Sequence, residues 1–257
     1  MAGTKVSAGQ DDPKDLNGVW QVLNTANFNL EPHHARHALQ LRDGPHGPVP
    51  AKSVVALGAV GAVPASPGFV VGGTIPYTSD ALRMRDQKKA DWINRDPEIT
   101  CFLPGVPRAT YMPFPFQIVQ SDSAMLFVYE YANAVRSIHL TDPGEAPIDS
   151  WMGQSYGSWD GETFVIEVTA QNGQTWLDRA GNHGSAALKV KEFYTKEGPN
   201  HIRYRARLED AATYTRPWEI EMILYRRIGA DAVLQEFNCV EFVEELMYGH
   251  LRREPLE

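Results

Sequence analysis

The 257-residue chain predicts a mainly β protein, built as an antiparallel up-and-down β-barrel with a long irregular N-terminal segment and a few short helices. Two observations carry that prediction. From Gln117 onward, runs of alternating apolar and polar residues follow one another at short intervals, the signature of half-buried strands. Between them stand compact turn signals, Asp160-Gly161 and the loop Lys196-Glu197-Gly198-Pro199-Asn200. Strands joined in chain order close into a barrel or stack as a two-sheet β-sandwich, and alternation alone leaves both open.

The chain reads as a single domain in three stretches. Residues 1–16 are small and polar and read as a flexible N-terminus; 17–116 are rich in Pro and Gly and read as an irregular segment wrapping the barrel; 117–257 hold the barrel and a C-terminal tail. Within the irregular segment the patterns predict a strand at Gly18–Leu23, a short helix at Pro32–Leu41 and a helix at Ser79–Trp92 capped by Ser79 or Asp80. Asn17-Gly18-Val19-Trp20 resembles the Gly-x-Trp entry of lipocalin-like and calycin barrels.

Strands at Gln117–Gln120 and Ala124–Tyr131 lead into a first hairpin. With Ala132, Asn133 and Ala134 as its turn, Glu130 faces Arg136 and Val128 faces Ile138, so that an acid and a base share an apolar face. A second hairpin at Gln154–Thr169 sets Phe164 against Gly157 and Ile166 against Ser155, small against large, which leaves room. The third, Ala187–Leu208, turns Leu188, Val190, Glu192, Tyr194, Ile202, Tyr204, Ala206 and Leu208 inward, with Glu192 across from Tyr204, and turns Lys189, Lys191, Arg203, Arg205 and Arg207 outward. Strands at Trp218–Arg227 and Ala232–Phe242 complete the meander, and a helical tail is expected at Glu244–Arg253.

Four segments, TCFLPGVPR (Thr100–Arg108), WMGQSYGSWDGETFVIE (Trp151–Glu167), HGSAALKV (His183–Val190) and YTRPW (Tyr214–Trp218), resemble an uncharacterised family of bacterial proteins, often exported, over roughly residues 95 to 242. The resemblance implies common ancestry and carries over no activity. The chain departs from it at Ala146-Pro147, where such sequences often have His-Pro.

Composition narrows the chemistry. A net charge of -8 without a Lys/Arg cluster interleaved with aromatics argues against nucleic acid. No apolar run has the length of a membrane span, and the composition fits a soluble chain, cytoplasmic or exported with its leader removed. Cys101 and Cys239 are either one disulfide or two buried thiols. Walker, Rossmann and CxxC motifs do not occur, and His33 and His37 on one helix turn lack a third ligand nearby, so neither a cofactor nor a metal is expected.

The candidate catalytic residues are therefore the inward acids Glu130 and Glu192, with Arg136 as electrostatic stabiliser and Tyr204, His183 and Asp178 as helpers. Trp151, Met152, Tyr156, Trp176, Tyr129 and Tyr194 are the candidate apolar walls. These point to a cofactor-independent isomerase, lyase or cyclase moving protons on a small hydrophobic, aromatic or terpenoid molecule inside the barrel. The alternative is a non-catalytic carrier of an apolar small molecule. Convergence of the charged groups on one cavity separates the two.

Overall fold

The computed structural model describes residues 12–37, 42–44, 47–49, 62–90, 92–229, 232–243 and 246. Nine strands close into a barrel: β1 (Gly18–Gln21), β6 (Phe116–Gln120), β7 (Met125–Tyr129), β8 (Val135–His139), β9 (Gln154–Asp160), β10 (Thr163–Thr169), β11 (Lys189–Lys196), β12 (His201–Glu209) and β13 (Trp218–Arg226). Two small ladders lie outside it, β2 (Arg36–His37) with β5 (Ala62–Val63) and β3 (Arg42–Gly44) with β4 (Gly47–Val49).

Strands β6 to β13 follow one another around the wall in chain order, and β1 closes it by pairing antiparallel with both β6 and β13. Every neighbouring pair is antiparallel except β8 and β9, which run parallel through Ile138↔Ser155 and His139↔Tyr156. Residues 140–153 therefore travel back along the barrel before β9 starts. This sorts the connections. The tight turns after β6, β9 and β11 lie at one end, and the long connections before β6, between β10 and β11 and between β12 and β13 lie at the other. β1 is too short to cover all of β13; Phe69–Val71 take over beyond it, with Val71 N–H donating to Glu219 O and Glu221 N–H to Phe69 O, both at 2.9 Å.

Alternation places the expected side chains inside. Val190, Glu192, Tyr194, Ile202, Tyr204, Ala206, Leu208, Ile220 and Leu224 are all buried, and the basic face of β12 is outside. The interior is filled. Trp20, Phe116, Phe127, Phe164, Tyr194 and Tyr204 are completely buried. The room expected opposite the small residues of β9 is taken by Phe164 and Ile138, which a Cβ on Gly157 would meet at 2.5 and 2.6 Å.

Register departs from expectation in an instructive way. Phe164 faces Trp159 instead of Gly157, and Glu192 faces Ala206 instead of Tyr204; both are slips of two residues that keep each side chain on its predicted face. In the first hairpin Val128 faces Val135 instead of Ile138, a slip of three, and an odd slip reverses a face. Met125, Phe127 and Tyr129 thus point inward while Glu130 points out. The cause is the turn: it spans Glu130–Ala134, with Ala132 and Asn133 at left-handed φ values of 55° and 50°.

Helix α1 spans Ser79–Ala90 and α2 Trp92–Arg95. The cap is Thr78, one residue before the predicted pair: its Oγ1 accepts from Ala81 N–H at 3.3 Å. The helix expected from Pro32 does not form over the described residues. His33 pairs with Ser66, and Arg36–His37 with Ala62–Val63, because a short lone helix is marginal and an antiparallel partner satisfies the same backbone groups; residues 38–41 lie outside the described ones. The strand expected over Ala232–Phe242 also fails to form, since both edges of β13 are already occupied. Most of the expected helical tail, 244–253, lies outside the described residues. Cys101 and Cys239 form a disulfide with Cα atoms 5.8 Å apart, tying residues 232–243 to the segment before β6.

Candidate binding site

Among the described residues, two buried ion clusters interrupt the apolar packing. The first is in the barrel wall's inner face. Arg136 donates from Nη2 to Glu192 Oε2 and from Nε to Ser155 Oγ at 2.8 Å, while Tyr194 and Tyr204 donate to Glu192 Oε1 at 2.9 and 2.8 Å. Burial alone would lower the Arg136 guanidinium; the Glu192 carboxylate outweighs it and keeps Arg136 firmly charged. Burial pushes the Tyr194 and Tyr204 phenols well above their ordinary range. Among the described residues, Arg136 Nη1 and the Tyr129 hydroxyl are buried and find no hydrogen-bond partner.

The second cluster sits at the end that carries the long connections. A 3₁₀ turn, Arg108–Tyr111, plugs that end, and all four of its residues are buried. Thr110 Oγ1 lies 3.3 Å from the Tyr194 hydroxyl and Tyr111 donates to Leu177 O at 2.8 Å, so the plug touches the interior cluster from above. Arg108 grips Asp96 bidentately at 2.7 and 2.8 Å, reaches Glu98, and donates to Asn27 Oδ1 at 2.8 Å. Arg179 clamps the same Glu98 from Nε and Nη2, both at 2.9 Å, and stacks its guanidinium over Phe28 and Trp92. Burial would raise the Glu98 carboxyl, but Arg179 and Arg108 hold it at about 2. Among the described residues this cluster pairs two carboxylates, Asp96 and Glu98, with two guanidiniums, Arg108 and Arg179.

Above this floor opens a cavity of about 400 Å³. Asn27, Glu98 and Arg179 form its polar side, and Phe28, Ile99, Phe114 and Tyr131 its apolar walls. The fourth side comes from the C-terminal tail, through Phe237, Val240 and the disulfide sulfur-bearing Cys239. Phe114, Tyr131 and Phe237 form a ring triangle with centroids 5.0 to 5.7 Å apart.

The predicted residues divide between these places. Arg136, Glu192, Tyr204, Tyr194 and Tyr129 do converge, inside the filled barrel. Glu130 does not face Arg136; it lies on the outer side and accepts from Gln235 N–H at 2.7 Å. Asp178 is fully buried and serves the backbone, accepting from Leu30, Ala180 and Asn182 N–H at 2.8, 2.9 and 3.2 Å. Burial raises its carboxyl to about 6. His183 is buried with Nδ1 at 3.1 Å from Gly181 O and its ring against Tyr77, and burial lowers it to about 4. Neither lines a mouth. The expected walls are scattered: Trp151 stacks on Phe102 at 4.7 Å, Trp176 lies under Lys88, Met152 packs into the core and Tyr156 is half-buried on β9. Of the cavity's own residues, Asn27, Phe28, Glu98 and Phe114 lie in aperiodic stretches and Phe237 in the stretch expected as a strand, so no alternation marks them as a site. No group of three metal-ligating side chains occurs among the described residues.

Fold and site together define a closed nine-stranded barrel with a filled interior and an apolar cavity at one end, floored by an ion cluster. No protein-family model, curated protein or solved structure matches the chain.

Proposed function

We propose that the protein binds a small, uncharged and largely apolar molecule in the cavity above Glu98 and Arg179. The carrying observation is the pairing of aromatic and aliphatic walls with a polar floor whose charges are already satisfied. Glu98 accepts hydrogen bonds at both oxygens from Asn27, Arg108 and Arg179, so a charged ligand would find no unpaired partner there. A volume of about 400 Å³ suits a ligand of one to three rings. Binding is favoured over proton transfer because the carboxyl nearest the cavity is held ionised at about 2 and is spent on two guanidiniums, a poor state for a general acid or base at neutral pH.

The proton-transfer reading rests on the interior cluster, where Glu192 meets Arg136 and two phenols. It requires a substrate to reach side chains buried at 0 to 3% exposure, with Glu192→Gln then abolishing turnover.

The uncharged fluorophore N-phenyl-1-naphthylamine tests the binding reading. It is expected to bind saturably at one site, and Val240→Trp, which places an indole over the cavity from a position 52% exposed, is expected to weaken it by about tenfold or more. Unsaturable binding, or equal affinity in Val240→Trp, rejects the reading.

A further inference from the structure

Residues 232–240 make no ladder pairs, yet they form one side of the cavity. What holds them there is sparse. Gln235 N–H donates to Glu130 at 2.7 Å, Asn133 Nδ2 donates to Phe237 O at 3.0 Å, and Phe242 N–H donates to Ile99 O at 2.9 Å. The first two bonds are solvent-exposed, and exposed bonds on a strand-free segment open at low free-energy cost. Phe237 adds its packing against Phe114 and Tyr131. Among the described residues the one covalent fastening is the Cys101–Cys239 bond, within the wall-forming stretch. Cys239 is exposed and Cys101 half-buried, so a thiolate in solution can reach the bond.

We propose that the Cys101–Cys239 disulfide gates this cavity: the oxidised protein holds Phe237 and Val240 as its fourth wall, and reduction releases that wall and the ligand. The gate rests on the binding reading above. The reductant is a dithiol. Its thiolate attacks one protein sulfur, breaks the S–S bond and forms a mixed disulfide; its second thiol then closes on the first. Two electrons and two protons pass to the protein, leaving Cys101 and Cys239 as thiols, and the reductant leaves as a cyclic disulfide. Without the covalent tie, the tail keeps only its weak contacts, and the effective concentration of Phe237 and Val240 at the cavity falls.

The test measures N-phenyl-1-naphthylamine affinity and amide exchange of residues 234–243 in the oxidised protein, the dithiothreitol-reduced protein and the Cys101→Ser/Cys239→Ser variant. Both disulfide-free forms are expected to bind at least about tenfold more weakly, to exchange faster at 234–243, and to keep the far-UV spectrum of the barrel; reoxidation is expected to restore wild-type affinity. Equal affinity with and without the bond overturns the gate while leaving the binding reading standing. Unchanged exchange at 234–243 overturns it as well. Absence of binding in the oxidised protein removes the binding reading itself, and the gate with it.

Discussion

At the scale of single residues, Glu192 is a carboxylate that the barrel encloses completely and compensates with one guanidinium and two phenols. Removing its charge leaves Arg136 buried against a filled core without its counter-ion. Breaking a buried pair on one side costs about 3–5 kcal/mol, far more than the pair contributes relative to an apolar replacement. Glu192→Gln is accordingly expected to lose stability in that range by urea unfolding, while Glu130→Gln, whose carboxylate meets one backbone N–H on the outer face, is expected to lose less than about 1 kcal/mol. Comparable losses in the two variants would show that Glu192 is not the enclosed charge described. The contrast also locates what was legible at this scale. Alternation marks an inward Glu on β11 reliably, because both neighbours of that strand keep its parity. It misplaces Glu130, because its face depends on how many residues the turn consumes.

At the scale of elements, close packing supplements a short hydrogen-bonded ladder where β8 meets β9 in parallel over only two registered positions. Gly157 is the hinge of that packing: Phe164 and Ile138 occupy the space a side chain would need. Gly157→Val is expected to cost about 1–3 kcal/mol by overpacking, read as a lower urea midpoint with unchanged slope. A neutral result would mean that Phe164 has another rotamer to retreat into. The barrel strands from β9 to β13 were legible because their alternation is uninterrupted. The parallel step was not, since nothing local to residues 140–153 says which way the chain returns. The cavity at the barrel end was still less legible. Its parts come from Asn27, Glu98, Phe114, Arg179 and Phe237, and what brings them together is the long-range grip of Arg108 and Arg179, which no periodicity announces.

For the whole molecule, the ion cluster at the barrel end couples stability to pH. The Glu98 carboxyl has an ordinary value of 4.5 and is held at about 2 in the folded chain by Arg179 and Arg108 against its own burial. A depressed carboxyl stabilises the folded state above its unfolded value, and that contribution is lost as pH falls toward the folded one. The stability gap between wild type and Glu98→Gln is therefore expected to be constant above about pH 5 and to close as pH falls toward about 2, measured by chemical unfolding across that range. A gap that stays constant through the range would show that the ion cluster does not hold Glu98 ionised. The same cluster fastens Asn27, Asp96 and the 3₁₀ plug to the barrel, so acid is expected to loosen the cavity end before the tight-turn end.

Strand β1 is the closing stave of the barrel, and among the described residues it is the first strand while one of its two neighbours, β13, is the last. During synthesis β1 leaves the ribosome early and cannot take its full place until β13 has followed. Until then the growing β6–β12 sheet is an open one with unpaired edges, the arrangement most prone to pairing with other chains. The closing order thus confines the exposure of those edges to the interval between the emergence of β6 and that of β13.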